Sequence, residues 1–202
     1  MLLKDRLGWN LQLDAKKSQE EQYLEYYQKG EEISLQKPGL WQVYRGVVQL
    51  SRFNDSYQEA VVGWIAPNHA FGSLVHSASL HRAVAMTDVY IRHYKQKEIA
   101  QNSQLARQLV SELSYRLVRA EQMVTITSLR KVESRLKELL QMLKEEMGHP
   151  VEKGIRLTAR FTHQNIADAI CTTRVTVTRI LGDLQRQGLL EFDCDRHIVI
   201  KF

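Results

Sequence analysis

Arg174 and Arg179 stand five positions apart in the run Thr173-Arg174-Val175-Thr176-Val177-Thr178-Arg179-Ile180-Leu181. On a helix, positions 174, 175, 178 and 179 share one face, while Val177, Ile180, Leu181 and Leu184 share the other. A guanidinium fork can take guanine O6 and N7 together, and a valine methyl suits the methyl of thymine. An apolar back with an arginine-and-hydroxyl front therefore has the chemistry to read base edges in a major groove. A buried two-helix corner with two surface arginines has the same composition, so the pattern alone leaves both readings open.

The elements that must position those arginines run from Thr162 to Gln187. Two short amphipathic helices meet at a tight turn, the first with Ile166, Ala167 and Ile170 on its inner face. Thr162 and Thr173 are placed to cap them, because a hydroxyl oxygen accepts an orphan N–H of a first turn. Thr162, Gln164, Thr173, Thr176 and Thr178 are either phosphate contacts that fix register or caps and solvated surface positions. Ile155-Arg156-Leu157 reads as a strand before this pair. Leu189-Leu190-Glu191-Phe192 and His197-Ile198-Val199-Ile200 read as a hairpin after it, which makes a wing.

Upstream, Glu98 to Ser128 contains neither Gly nor Pro and is expected to be one long helix. Ala106, Val110, Leu113, Leu117, Ala120, Val124 and Thr127 alternate steps of four and three, the seam of a two-stranded coiled coil. The expectation is a homodimer through this helix. With Val110 and Leu117 at a positions, Arg116 is g and Glu121 the next e, an interchain salt-bridge pair. A second amphipathic helix follows from Arg130 to Met147, and Gly148-His149-Pro150 ends it.

The N-terminal half changes texture. Ser18 to Tyr27 is Glu-rich and reads as a helix. After it come short alternating runs at Ile33–Leu35, Trp41–Leu50, Glu59–Ile65, Ala83–Met86 and Val89–Ile91, the spacing of an antiparallel roll or sandwich. His69, His76, His81 and His93 show no metal-ligand spacing, and no Ser-His-Asp or paired-carboxylate set can be named, so no enzyme is expected.

The net charge of +5 is spread over the chain without a polybasic arm, so charge by itself says little about nucleic acid. Two cysteines outside any CxxC pair disfavour a disulfide framework or zinc. The first residues lead into no long apolar run and no stretch approaches a membrane span, so a cytoplasmic protein without membrane attachment is expected.

Thr173-Arg174-Val175-Thr176-Val177-Thr178-Arg179-Ile180-Leu181-Gly182-Asp183-Leu184 resembles the recognition helix of the CRP/FNR transcription factors, and the resemblance extends over nearly the whole chain. It implies an α+β fold in three parts. These are an N-terminal antiparallel β-roll of the cyclic-nucleotide-binding jelly-roll type (1–97), a long dimerisation helix (98–128) and a C-terminal winged helix-turn-helix (129–202), hinged near Thr127 to Arg130. It implies a homodimer on a GTA…TAC-type palindrome in double-stranded DNA, with RNA polymerase as a further partner. No cofactor is required.

For the roll, Phe71-Gly72-Ser73-Leu74 resembles the segment that lines the family's effector pocket, and Arg116 and Glu121 match positions that one branch directs at 2-oxoglutarate. A 2-oxoglutarate-like effector is therefore implied. Cyclic AMP is disfavoured, because the Thr and Ser that hold adenine elsewhere in the family fall on Ala120 and Glu121. The roll's anion-binding arginine falls on Ser79, with Arg82 near it but out of register. Two further departures are Cys171, where the family usually has a turn glycine, and Val175, where many members have Glu. The alternative is a ligand-sensing or scaffolding dimer whose DNA helix is vestigial.

Overall fold

The computed structural model of the chain describes residues 24–53, 55, 59–74 and 81–202. Among the described residues eight strands come first: β1 Glu25–Tyr27, β2 Glu32–Ile33, β3 Gly39–Arg45, β4 Val48–Phe53, β5 Glu59–Ile65, β6 Ala70–Ser73, β7 His81–Ala85 and β8 Val89–Tyr94. They form two antiparallel sheets, in the orders β1-β8-β3-β6 and β2-β7-β4-β5. Alternate residues turn inward, as the pleat requires. Ile33, Trp41, Val43, Val48, Leu50, Phe71, Ala83, Ala85, Val89 and Ile91 fill the space between the sheets. Gly46, at φ +90°, turns β3 into β4; a Cβ there would strike the Asp88 carbonyl.

Only the end of the helix expected over Ser18–Tyr27 falls on described residues, and there the chain is a strand. Residues 18–23 lie outside the described residues, and Glu25–Tyr27 pairs with β8 as an edge strand. Tyr26 packs its ring 5.1 Å from that of Tyr90. Cross-strand aromatic pairing outweighs the helix propensity of the glutamates.

Five helices follow. α1 (Gln96–Gln101) and α2 (Ser103–Ser128) replace the single helix expected from Glu98. The break is Asn102, whose side chain accepts from the N–H groups of Gln104 and Leu105 and so starts a new helix as an N-cap. α3 (Val132–Met147) is separated from α2 by Leu129 in an extended conformation. Gly148-His149-Pro150 does end α3, but it also begins a strand, β9 (Gly148–Val151), which sits at a sheet edge where a proline is tolerated. β10 (Gly154–Leu157), α4 (His163–Ala169), α5 (Arg174–Arg186), β11 (Leu190–Phe192) and β12 (Ile198–Ile200) complete the chain. The third sheet runs β11-β12-β10-β9, so the hairpin wing is one half of a four-stranded sheet.

Three parts of the chain share one core. Val47, Trp64 and Ala66 of the roll, Met123 and Ile126 of α2, and the inner faces of α3, α4, α5 and the wing belong to a single buried cluster. Trp64 lies edge-on to Phe161, with ring centroids 5.0 Å apart. Gln49 accepts from the Trp64 indole N–H at 3.2 Å and from the Asn165 amide at 3.3 Å.

Candidate nucleic-acid interface

α5 buries Val177, Ile180, Leu181 and Leu184 against α4, which answers with Ile166 and Ala167, and Ile170 at its C-cap joins them. The other face of α5 is free. Val175 is 79% exposed, and Arg174, Thr178 and Arg179 are exposed beside it. Four side chains of the types that read base edges thus stand on one open helix face. Gly182 continues this face one turn on, and nothing lies within 4 Å of where its Cβ would be.

The caps form as the hydroxyl positions suggest. The Thr173 side chain accepts from the Thr176 N–H at 3.2 Å. Thr162 and Asn165 make a reciprocal capping box, with Thr162 Oγ1 accepting from the Asn165 N–H at 3.0 Å and the Thr162 N–H donating to Asn165 Oδ1 at 3.0 Å. Thr173 and Thr176 pair their hydroxyls at 2.9 Å, and Gln164 donates to Asp168 at 2.6 Å on the exposed side of α4. The Thr178 hydroxyl is committed within the protein: it donates to the Arg174 carbonyl at 2.8 Å and meets His163 Nδ1 at 2.7 Å.

Arg179 lies 3.5 Å from Asp183, which also pairs with Arg186. Exposed pairs of this kind contribute about 0–1 kcal/mol, so Arg179 is readily released to a stronger acceptor. Burial, and then the charge of Arg174, lowers the pKa of the His163 imidazole below its ordinary value.

The turn between the helices holds Cys171 at φ +53°, the left-handed conformation in which its Cβ is strained. Arg135, from α3, offsets this by donating to the carbonyls of Ile170 at 2.7 Å and Cys171 at 3.2 Å. Sequence reading missed both Arg135 and His163. For His163, its place one residue after a capping threonine was the available signal; for Arg135, 35 residues from its acceptor, there was none.

The roll-side candidates are not gathered in one place. Phe71 is fully buried against Trp41, and a Cβ on Gly72 would lie 2.6 Å from the Trp41 ring. Leu74 packs against the buried cluster of Leu40, Ala70, Tyr94, Ile99 and Leu109. Arg82 faces outward and pairs with Glu32 at 2.8 Å and Glu59 at 3.3 Å, so the structure does not present it as an anion ligand. Ser79 and His76 lie outside the described residues. Among the described residues no group of His, Cys, Asp and Glu could hold a metal ion, and no helix is long and apolar enough to cross a membrane.

Arg116 is different. It shares the inward face of α2 with Leu109 and Met123, at heptad spacing, so within this chain it turns toward the roll rather than toward Glu121. It lines a small crevice of about 30 Å³ where roll, α2 and α3 meet, bounded by Leu50, Val62, Gly63, Trp64 and Ile65, by Arg119, Ala120 and Met123, and by Met142 and Glu146. Phe71, Gly72, Ser73 and Leu74 do not line it. Burial lowers the pKa of the Arg116 guanidinium, and no carboxylate partner offsets this among the described residues. Across the crevice, burial pushes the Glu146 carboxyl up to about 7, although Arg119 at 3.2 Å opposes the shift. Glu121 is exposed.

On α2, Val110, Leu117 and Val124 are 63%, 61% and 65% exposed, a narrow apolar line at seven-residue spacing. The alternate seam residues Ala106, Leu113 and Ala120 are half buried against the same chain.

An open arginine-bearing helix in a winged helix-turn-helix, carried with a β-roll on a stem, is also the build of known regulators. A CRP/FNR-family transcriptional regulator from Thermus thermophilus superposes with a TM-score of 0.70 at 22% identity, covering 88% of this chain and 93% of that one. FixK2 from Bradyrhizobium japonicum superposes at 0.73 and 23% identity, covering 89% and 92%. Residues 134–201 match the Crp-like helix-turn-helix domain. The chain belongs to the CRP/FNR family of DNA-binding transcription regulators, whose members typically act as dimers. Among its relatives is the global nitrogen regulator of Synechococcus elongatus, 34% identical over 179 residues that span 83% of this chain and 81% of that protein. The global nitrogen regulator of a Nostoc strain is 34% identical over 155 residues, or 72% of this chain and 70% of that protein. These relatives are transcriptional regulators, not enzymes.

Proposed function

We propose that two copies pair along Val110, Leu117 and Val124 and present α5 to successive major grooves, about 34 Å apart, of a GTA…TAC-type palindrome. The observation that carries this is the open face of α5. Arg174 and Arg179 read guanine, and Val175 touches a thymine methyl. Thr162, Gln164, Thr173, Thr176 and Thr178 line the approach and fix register through phosphates, and Thr162 and Thr173 also cap their helices. Residues 1–97, 98–128 and 129–202 serve as effector, dimerisation and DNA-binding parts. The setting is the cytoplasm, without membrane attachment, and RNA polymerase is the further partner.

A 2-oxoglutarate-like acid is the effector class that suits Arg116, a half-buried cation without a carboxylate partner among the described residues. Glu121 stands on the exposed side of α2, where a second protomer approaches.

The test is fluorescence anisotropy with the palindrome and a scrambled duplex, alongside sedimentation of the free protein. Equal affinity for both duplexes, or a monomer that stays monomeric on DNA, rejects the reading in favour of a vestigial DNA helix. Calorimetry with 2-oxoglutarate tests the effector: heat that disappears in Arg116→Ala supports it, and no heat with the native chain refutes it.

A further inference from the structure

α4 and α5 are joined near their N-terminal ends by one side-chain pair. His163, the first residue of α4, places Nδ1 2.7 Å from the Thr178 hydroxyl oxygen. Thr178 spends its own proton on the Arg174 carbonyl. The oxygen therefore accepts, and Nδ1 carries the hydrogen. Nε2 of the neutral ring is left with a lone pair. The ring also lies 6.2 Å from that of Phe192 in the wing, so one imidazole touches both helices of the reader and its wing. Thr178 adjoins Arg179 and lies one turn beyond Arg174, so whatever holds Thr178 sets the rotation of the reading face.

We propose that His163 is a positioning residue for DNA recognition, with its Nδ1–H bond to Thr178 fixing the rotation of α5 and DNA association loading a proton on Nε2. The inference rests on the reading that α5 meets DNA. The surroundings of the ring decide the proton's behaviour. On α5 the charged neighbour is Arg174. On the wing, Glu191 is tied to Lys201 and Asp193 to Arg156, leaving Phe192 against the ring. On α4 itself, Asp168 is taken by Gln164. Among the described residues no acid is engaged with the ring, and burial together with Arg174 favours its neutral form.

DNA seated on Arg174 and Arg179 changes both terms. It offsets the Arg174 charge and brings phosphates within about one Debye length, roughly 8–10 Å. Each change favours the imidazolium. Protonation keeps the clamp, because both nitrogens of the charged ring donate, and it makes the bond to Thr178 charge-assisted. Binding thus takes a proton from solvent, and affinity rises as pH falls through the window between the free and bound values.

The experiment measures Kd for the palindrome and for a scrambled duplex from about pH 5.5 to about 8.5 at constant ionic strength. The native chain is compared with His163→Asn and His163→Leu. The native chain should take up as much as about one proton per protomer. His163→Asn retains an N–H donor and does not titrate, so it should keep the preference for the palindrome and lose the pH dependence. His163→Leu should lose both, with the preference falling roughly tenfold. A pH-independent native affinity, or an unchanged slope in His163→Asn, overturns the proton; an unchanged preference in His163→Leu overturns the positioning role. A native chain that prefers no duplex at any pH rejects the DNA reading instead, which keeps the two failures distinguishable.

Discussion

The reader and the junction between roll, stem and reader are built on opposite plans. In the reader, the polar bonds that shape the site are mostly short in sequence: Thr162 to Asn165, Thr173 to Thr176, Thr178 to Arg174. Its face is open and its charges are paired loosely or not at all. At the junction the partners are remote, as with Gln49 and Asn165, 116 residues apart, and the charged groups are half buried. One region is made to be approached by a large polyanion. The other holds two cations and a carboxylate in a crevice where their ionisation depends on how tightly three elements close. α3 lines that crevice and shares its buried core with α4 and α5, so the junction adjoins the reader's core and not its open face.

Trp64→Ala gives the sharpest test of that contrast. Trp64 is 4% exposed and belongs to the core cluster that includes Phe161 and the reader's helices. Its removal should cost about 3–5 kcal/mol in urea unfolding of the whole chain. If the loss is under about 1 kcal/mol, the reader folds without support from the roll, and the junction is a surface contact rather than a shared core. Glu146→Gln comes next. The folded carboxyl titrates near 7 against an ordinary 4.5, so the native state holds the extra proton between those values. Stability should therefore be full below about 4.5 and fall as pH rises through 7, by something on the order of 2 kcal/mol. Glu146→Gln should flatten that slope in thermal melts across the same range. An unchanged slope places the titrating group elsewhere.

Removing a charge from the reader's open face should barely change stability and should show up in recognition. Arg179→Ala breaks only a solvated pair with Asp183, worth about 0–1 kcal/mol to the fold. It should cost about 1–3 kcal/mol on the palindrome and much less on scrambled DNA. Equal losses on both would make Arg179 a phosphate contact.

The same contrast explains what could be read in advance. Thr162 and Thr173 announce their helices because a cap's partner is three residues away, and α5 announces its two faces because the helical repeat does the sorting. The strands of the roll are legible for the same reason, since Trp41 and Val43 alternate with residues that face the other way. The failures are tertiary. Glu25–Tyr27 became a strand because β8 was there to pair with it. Asn102 broke a run without breaker residues because its side chain caps better than it continues a helix. Arg116 sits at a coiled-coil position that permits an interchain pair, yet it shares its face with Leu109 and Met123, whose burial depends on where the roll lies. Arg82 lies three residues beyond the expected position at Ser79, an odd offset that turns a strand side chain to the other face, where Glu32 and Glu59 meet it.

The smallest effect is also the most discriminating. Gly182 lies inside α5, where glycine costs about 0.5–1 kcal/mol relative to alanine, and a methyl group there would meet nothing in the protein. The fold gives no reason for it. It lies on the reading face, beyond Thr178 and Arg179, where an added methyl group would project toward approaching DNA. Gly182→Ala should therefore raise stability by about 0.5–1 kcal/mol in urea unfolding while weakening binding to the palindrome. A gain in stability with unchanged affinity would mean that DNA does not come close to this turn, and it would shift the contact surface toward Arg174 and the N-terminal end of α5.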